Sequence, residues 1–467
     1  MLFNSSIFLL LLVVTFSVYY IPLLAKYQVQ ILIVSSLAFY AYGQPILLIL
    51  LLVSALINTL TSYAVVNSKP SMLKFYAVLG VAANLTILCF FKYSPLFAKS
   101  FFDTTAGFGH FLLMIPLPIG ISFYTFEGVS LLIDVYSNKH HDVLTIDKSF
   151  KAHVYKTLFF ISFFPHLIAG PILKAYEFYP QIGNKKFADI DWSYVFKKLT
   201  IGYFLKMVIA DNLANFTFWM AYPYFKSLSS VDLVTMVFGY SFQIFADFAG
   251  YSLIALGLAK LFGYNLNENF NFPYISSSFS EFWTRWHISL STFLKQYLYI
   301  PLGGNRKGKI RTYLNLLVTM ILGGLWHGAA WSYAIWGLFH GLALAIERFF
   351  SNDARTAKHS LPRRLIMGVT VFVFVSAAWV LFKLPFEYVV DYFKSIVVNG
   401  KMPANSNNIM LIAIYSIPVI LYHLVYLCRS ARYAVSFKKY EFAGYGLLLF
   451  LIAVNSGPSN SFIYFQF

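Results

Sequence analysis

Long apolar runs alternate with short polar segments along nearly the whole chain. They lie near residues 4–25, 28–43, 45–66, 75–98 and 107–136, in a short piece at 158–173, and at 199–220 and 230–263. A more polar stretch, 264–311, comes next. Beyond it lie a long apolar block at 312–346 and runs near 365–385, 409–428 and 442–458. A helix needs about 20 mostly apolar residues to cross a bilayer, so the pattern predicts roughly ten or eleven crossings. The short piece and the long block also fit re-entrant segments, which are tolerated where backbone is buried in protein. Prolines and glycines cluster at 116–120, 170–171 and 301–308 and predict helix breaks. The first run has no basic n-region and is long for a signal sequence, so it reads as a retained span.

Composition removes the soluble alternative. Of 467 residues, 59% are hydrophobic and only 11% charged. A soluble domain carries roughly 25% charged residues. The fold class expected is therefore all-α and polytopic, with re-entrant or interfacial helices beside the spans. The net charge is +17. In a soluble chain that excess points to nucleic acid; in a membrane protein it follows from the positive-inside rule. No nucleic-acid module is present. Basic clusters at 139–156, 174–198, 295–311, 348–364 and 429–439 fall on one side if the N-terminus is outside. The clusters flanking 312–346 suggest that this block enters and returns to the same side. The tail at 459–467 then lies outside. The two cysteines, Cys89 and Cys428, form no CxxC pattern, so neither a disulfide framework nor a cysteine zinc site is expected.

An ionisable group inside a bilayer is costly and is a functional candidate by default. Of the ten histidines, His110, His140, His141, His153 and His359 read as solvated loop or span-end residues, and His423 as structural. The densest region is LGGLWHGAAWSYAIWGLFHG, 322–341. His327 sits deep in it, beside Trp326 and among glycines. A neutral imidazole there can take a proton from an attacking hydroxyl; it can equally be an interhelical hydrogen-bond partner. His340 leans to the structural side. A second region, FSEFWTRWHISLSTFLKQYLYIPLGGNRKG, 279–308, embeds Arg285 and His287 among Trp283 and Trp286. Read helically, 279–300 has an aromatic face that suits an interfacial helix. The turn holding Asn305 and Arg306 is basic and fits lipid phosphates, or those of a nucleotide-bearing donor. Asp247, in YSFQIFADFAGYS, either pairs with a cation or orients a histidine. Glu127 and Asp134 pose the same choice. No metal-ligand spacing, GxSxG or P-loop occurs.

Taken together, PLPIGISFYTFEGVSLLIDVY, FFPHLIAGPI, IADNLA, DFAGYSLIALGLA, RWHIS, PLGGNR and GGLWHG resemble the membrane-bound O-acyltransferase (MBOAT) family. The branch resembled is that of the bacterial alginate, peptidoglycan and cellulose O-acetylation subunits. The resemblance runs along nearly the whole chain and rests on the order of the last three motifs. It implies an all-helical membrane bundle with a funnel or tunnel, and acyl transfer from a thioester to a hydroxyl. His327 matches the family's invariant histidine and would be the general base. His287 matches the second histidine and would assist positioning or proton traffic. His166 matches a family position. Trp326, Trp283, Arg285, Trp286, Asp247, His166, Asn305 and Arg306 would line the path of donor and substrate. Two positions depart from the pattern: Leu253 follows GYS where the alginate branch carries an acid, and Glu127 stands where a glutamine is common. Both bear on the acceptor more than on the reaction.

The implied organisation is one integral-membrane acyltransferase domain over 1–467, with N-terminal spans at 1–136, a catalytic core at 137–364, and C-terminal spans and tail at 365–467. The implied function is transfer of acetyl from cytoplasmic acetyl-CoA, a donor substrate rather than a bound cofactor, across an inner membrane to a cell-surface polysaccharide. Membrane lipids and a periplasmic acetyltransferase- or esterase-like protein are the expected partners, with no metal and no nucleic acid. The tail, SGPSNSFIYFQF, resembles FIYF-type tails in this branch. Tyr464 is then either an acyl carrier at the outer mouth or an aromatic anchor. Two alternatives stand beside this reading. One is D-alanyl transfer from a carrier-protein thioester to teichoic acid. The other is a transporter of a lipid-linked or acylated substrate, whose inverted repeats the chain does not display.

Overall fold

The computed structural model describes residues 1–137, 144, 146–147, 149–168, 170–350, 360–428, 434–460 and 462–463. His140, His141, His359 and Tyr464 lie outside the described residues. Among those described, every regular element is a helix, as the apolar pattern predicts. Two compact units are present. The first, residues 1–199 and 252–267, holds α1 (Ser6–Tyr19), α2 (Gln28–Gly43), α3 (Leu48–Asn67), α4 (Leu73–Phe101), α5 (Gly107–Leu113), α6 (Ile121–Ser137), α7 (Phe150–Ser162), α8 (Phe164–Leu167), α9 (Ala175–Phe178) and most of α10 (Trp192–Tyr203). The second, residues 200–251 and 268–467, holds α11 (Asp211–Thr217), most of α12 (Ser230–Leu261), α13 (Phe279–Arg285), α14 (Ile288–Leu294), α15 (Lys309–His327), α16 (Trp331–Phe350), α17 (Leu361–Lys383), α18 (Phe386–Val398), α19 (Ser406–Cys428) and α20 (Ala434–Val454).

Among the described residues six helical stretches are long and apolar enough to cross a membrane: Pro22–Gly43, Leu48–Asn67, Leu73–Phe101, Ser230–Leu261, Pro362–Lys383 and Ser406–Tyr426. Ser6–Tyr19 and Tyr440–Val454 are shorter and apolar. Burial sorts them by role. The apolar window of α12 is 83% buried, against 22% for α4, so α12 is an interior helix and α4 presents itself to lipid. On α19 the exposed side chains Met410, Ile414, Ile417, Leu421 and Leu424 recur at helical spacing. An apolar stripe of this kind, facing outward, belongs to a helix solvated by hydrocarbon.

Inside the first unit polar side chains bond helix to helix. Asn58 on α3 and Asn84 on α4 exchange amide hydrogen bonds at 3.1 and 2.9 Å. Interhelical bonds of this kind hold membrane helices where water is absent. His153, expected at a solvated edge, is instead fully buried in α7, with Nε2 2.8 Å from the Ser62 hydroxyl of α3. The polar face it shares with Ser62 and Thr157 is not visible in the local sequence. The 158–173 piece is not one span: α7 ends at Ser162 and the short α8 follows.

In the second unit the 312–346 block forms a helical hairpin, α15 and α16, joined by residues 328–330. Its basic flanks pointed to such a return. Glycines set how closely the two arms approach. A Cβ on Gly324 would run into the carbonyl oxygen of Tyr333, and one on Gly337 into that of Met320. The segment read as one helix over 279–300 is broken: α13 ends at Arg285, α14 starts at Ile288, and residues 295–299 form a π-turn.

Gly324→Val should therefore lower the thermal midpoint of the detergent-solubilised protein, since overpacking costs about 1–3 kcal/mol. Gly444→Val on α20, where nothing lies within 4 Å of the added carbon, should change it little.

Candidate active site

The break between α13 and α14 carries His287. Its φ is +42°, the left-handed region that non-glycine residues rarely occupy. Neighbouring bonds impose this conformation. The Asn271 N–H donates to the Arg285 carbonyl and the Ile288 N–H to the Asn269 carbonyl, both at 2.9 Å. The Ser289 hydroxyl donates to Asn269 Oδ1 at 2.6 Å. Arg285 donates to the Asn271 carbonyl at 2.9 Å and pairs with Glu281 at 2.9 Å. Burial pushes the Glu281 carboxyl up, but the Ser277 N–H and hydroxyl and the Arg285 charge outweigh it and hold the group below its ordinary value. Trp286 is fully buried against Phe282 and Trp379, with ring centroids 5.6 and 5.0 Å away. The chain is gripped on both sides of residue 287, so the imidazole is turned inward.

His327 is the last residue of α15 and only 3% exposed. Its ring centroid lies 6.2 Å from that of His287. Trp326 touches both, at 5.6 Å from His287 and 5.1 Å from His327. Trp336 from α16 and Phe382 from α17 stand edge-on to His327 at 5.3 and 5.2 Å. Phe248 from α12 closes the other side, 4.6 Å from His287. Two imidazoles thus lie near each other, tilted by 58°, in an aromatic, water-poor enclosure supplied by four helices and one turn. Such a place can hold a hydroxyl and a carbonyl at hydrogen-bonding range of a base, and shield a reactive ester from water.

Of the residues singled out from sequence, the structure brings His287, His327 and Trp326 together. Trp286 and Trp283 stand one ring further out; Trp283 lies 5.8 Å from Trp336 and 5.3 Å from His340. Arg285 serves the turn, bound to Glu281 and Asn271. Asn305 and Arg306 are exposed on the turn before α15. His166 belongs to the first unit, where both it and Glu127 are fully buried and Nδ1 lies 2.9 Å from the carboxylate. Asp247 pairs with a cation, Lys206, at 2.7 Å. Sequence reasoning missed Lys206, Asp211, Trp336, Phe248 and Phe382. A signal existed for the first two: Lys206 and Asp211 are the two charges in the apolar run 199–220, which makes each a candidate. Among the described residues no three His, Cys, Asp or Glu side chains group as metal ligands.

Comparison with known proteins bears on this geometry. The family model described as membrane-bound O-acyltransferase matches residues 26–388. A peptidoglycan O-acetyltransferase of Helicobacter pylori is 37% identical over 82% of this chain and 77% of its own length. The Pseudomonas putida protein named "Probable alginate O-acetylase AlgI" is 38% identical over the same shares. A teichoic acid D-alanyltransferase of Bacillus subtilis is more distant, 29% identical over 58% of this chain and 70% of its own length.

The left-handed turn at 287 gives a test of its own. Asparagine tolerates this conformation and valine does not, and the strain amounts to about 1–3 kcal/mol. In thermal melts His287→Asn should be the more stable variant, although valine matches the apolar enclosure better. The reverse order would show that ring packing, not backbone geometry, sets the site.

Proposed function

Because the chain belongs to the membrane-bound O-acyltransferase family, we propose that it moves an acetyl group from cytoplasmic acetyl-CoA to a hydroxyl destined for a cell-surface polysaccharide. Family membership makes the chain a multi-pass membrane acyltransferase acting on an acyl donor, and it sets the transporter reading aside. The choice of acetyl is supported by the names of the two relatives above, one a peptidoglycan O-acetyltransferase. The observation that carries the catalytic assignment is the buried pair His287–His327, 6.2 Å apart with Trp326 against both.

In this reading His327 is the general base. It takes the proton from the attacking hydroxyl as the oxygen bonds to the thioester carbonyl carbon. The C–S bond then breaks and the proton passes to the departing thiolate. His287 helps place the hydroxyl and relay the proton. Tyr464 supplies the first hydroxyl and becomes an acetyl ester. Attack by the acceptor hydroxyl, through a periplasmic partner protein, then forms the new ester and returns the phenol. The site lies in the inner membrane, with basic loops toward the cytoplasm and both termini outward. The docked segment before residue 464 supports the carrier role, because Phe462 is fully buried against Phe248, which itself packs on His287.

With purified protein and labelled acetyl-CoA, His327→Ala should lower label release by roughly 10²–10⁴-fold, the range a general base contributes. Release equal to wild type sinks the base assignment. Release from a carrier-protein thioester but not from acetyl-CoA would reassign the donor. Tyr464→Phe keeps the ring and removes the hydroxyl; polysaccharide from cells carrying it should lose its O-acetyl groups by mass spectrometry. Unchanged acetylation there refutes the carrier step.

A further inference from the structure

Lys206 lies in a π-helical turn, Phe204–Ala210, and is 1% exposed. Its ammonium donates at 2.7 Å to Asp211, at 2.7 Å to Asp247 and at 3.0 Å to the backbone carbonyl of Asn460. An ammonium has three donors, and all three are used. The second oxygen of Asp247 accepts from the backbone N–H of Ile463 at 2.8 Å. Just upstream, the Gly457 N–H donates to the Met207 carbonyl at 2.8 Å, and the Asn212 amide to the Asn455 carbonyl at 2.9 Å. Phe462 then packs on Tyr251 at 4.4 Å and Phe248 at 5.8 Å.

The charge balance explains the arrangement. One carboxylate is enough to neutralise Lys206, yet two are present, and a buried surplus charge is costly unless it is hydrogen-bonded. The tail supplies that bond through Ile463, and its Asn460 carbonyl occupies the third ammonium donor. Both contacts are to backbone atoms, so the cluster grips the chain whatever the side chains are, and fixes its register. Tyr464 follows Ile463 by one peptide bond.

We infer that Lys206, with Asp211 and Asp247, is a backbone latch that seats Asn460 and Ile463 beside the histidine enclosure, one residue short of Tyr464 in the chain. These are positioning residues, and the inference rests on the reading of Tyr464 as carrier. The latch is tested in full-length protein lacking both native cysteines (Cys89→Ser, Cys428→Ser) and carrying Ile463→Cys, a site 5% exposed. Maleimide labelling of that thiol reports tail release. Lys206→Met should speed labelling at least about tenfold, as local opening exposes the residue. Measured with Ile463 intact, the same substitution should reduce acetyl transfer, and Lys206→Arg, which can serve both carboxylates, should restore part of each effect. If Lys206→Met does not fold, Gly457→Val displaces the tail while keeping all three charged side chains, since its Cβ would lie 2.8 Å from Asn212 N and Asp211 C, where the tail passes α11. It should give the same release and the same loss. Labelling that stays at the parental rate overturns the latch, whatever Tyr464→Phe does. Faster labelling with full transfer retains the latch, but overturns the carrier reading and the positioning role with it.

Discussion

A polar group inside hydrocarbon has no water to turn to, and an unmet hydrogen bond there costs several kcal/mol. Much of the organisation of this protein follows from that constraint. In the first unit, Asn58 pairs with Asn84, Ser62 with His153, and Glu127 with His166. In the second, Lys206 draws together Asp211, Asp247 and the tail backbone. Apolar packing alone gives little preference for one helix neighbour over another when lipid is equally apolar. The polar pairs and the close contact of Gly324 with α16 supply that preference, and so fix which helices meet.

The sequence disclosed the class of the fold more readily than its joints. Apolar runs and sparse charge mark the helices, because lipid-facing stripes such as Met410 to Leu424 need only composition. The α15–α16 return was legible from its basic flanks. The break at His287 was not. Residues 279–300 have a helical aromatic face, and what interrupts it is a set of bonds to residues 269–271, a long-range pairing that no local pattern announces. His153 was misread for the same reason: its partner, Ser62, lies 91 residues away.

The site divides along the same line. His287, His327 and Trp326 were visible because ionisable groups and their motif neighbours stand out in apolar sequence. Phe248, Trp336 and Phe382 were not, because an aromatic residue in a chain that is 20% aromatic carries no signal of its own. They surround the two imidazoles with ring edges. A water-poor enclosure strengthens each electrostatic contact made inside it. Tryptophan and phenylalanine do this without adding a competing base. The candidate site thus holds few polar atoms, and its surroundings are built from side chains that look like ordinary packing.

Asp247 shows how one residue links these levels. It sits on α12, the most buried of the long helices, next to Phe248, whose ring packs on His287. Its two oxygens divide their work: one holds Lys206, the other receives the Ile463 N–H. A tail held through side chains would depend on their fit, and would shift in register when they changed. A tail held through its N–H and C=O groups keeps its register, and leaves Phe462 free to be chosen for packing against Tyr251 and Phe248. The buried charge that looked in sequence like a candidate partner for a histidine is therefore joined to the histidine pair only at one remove, through the Ile463 backbone that it binds and the Phe248 ring that stands beside it.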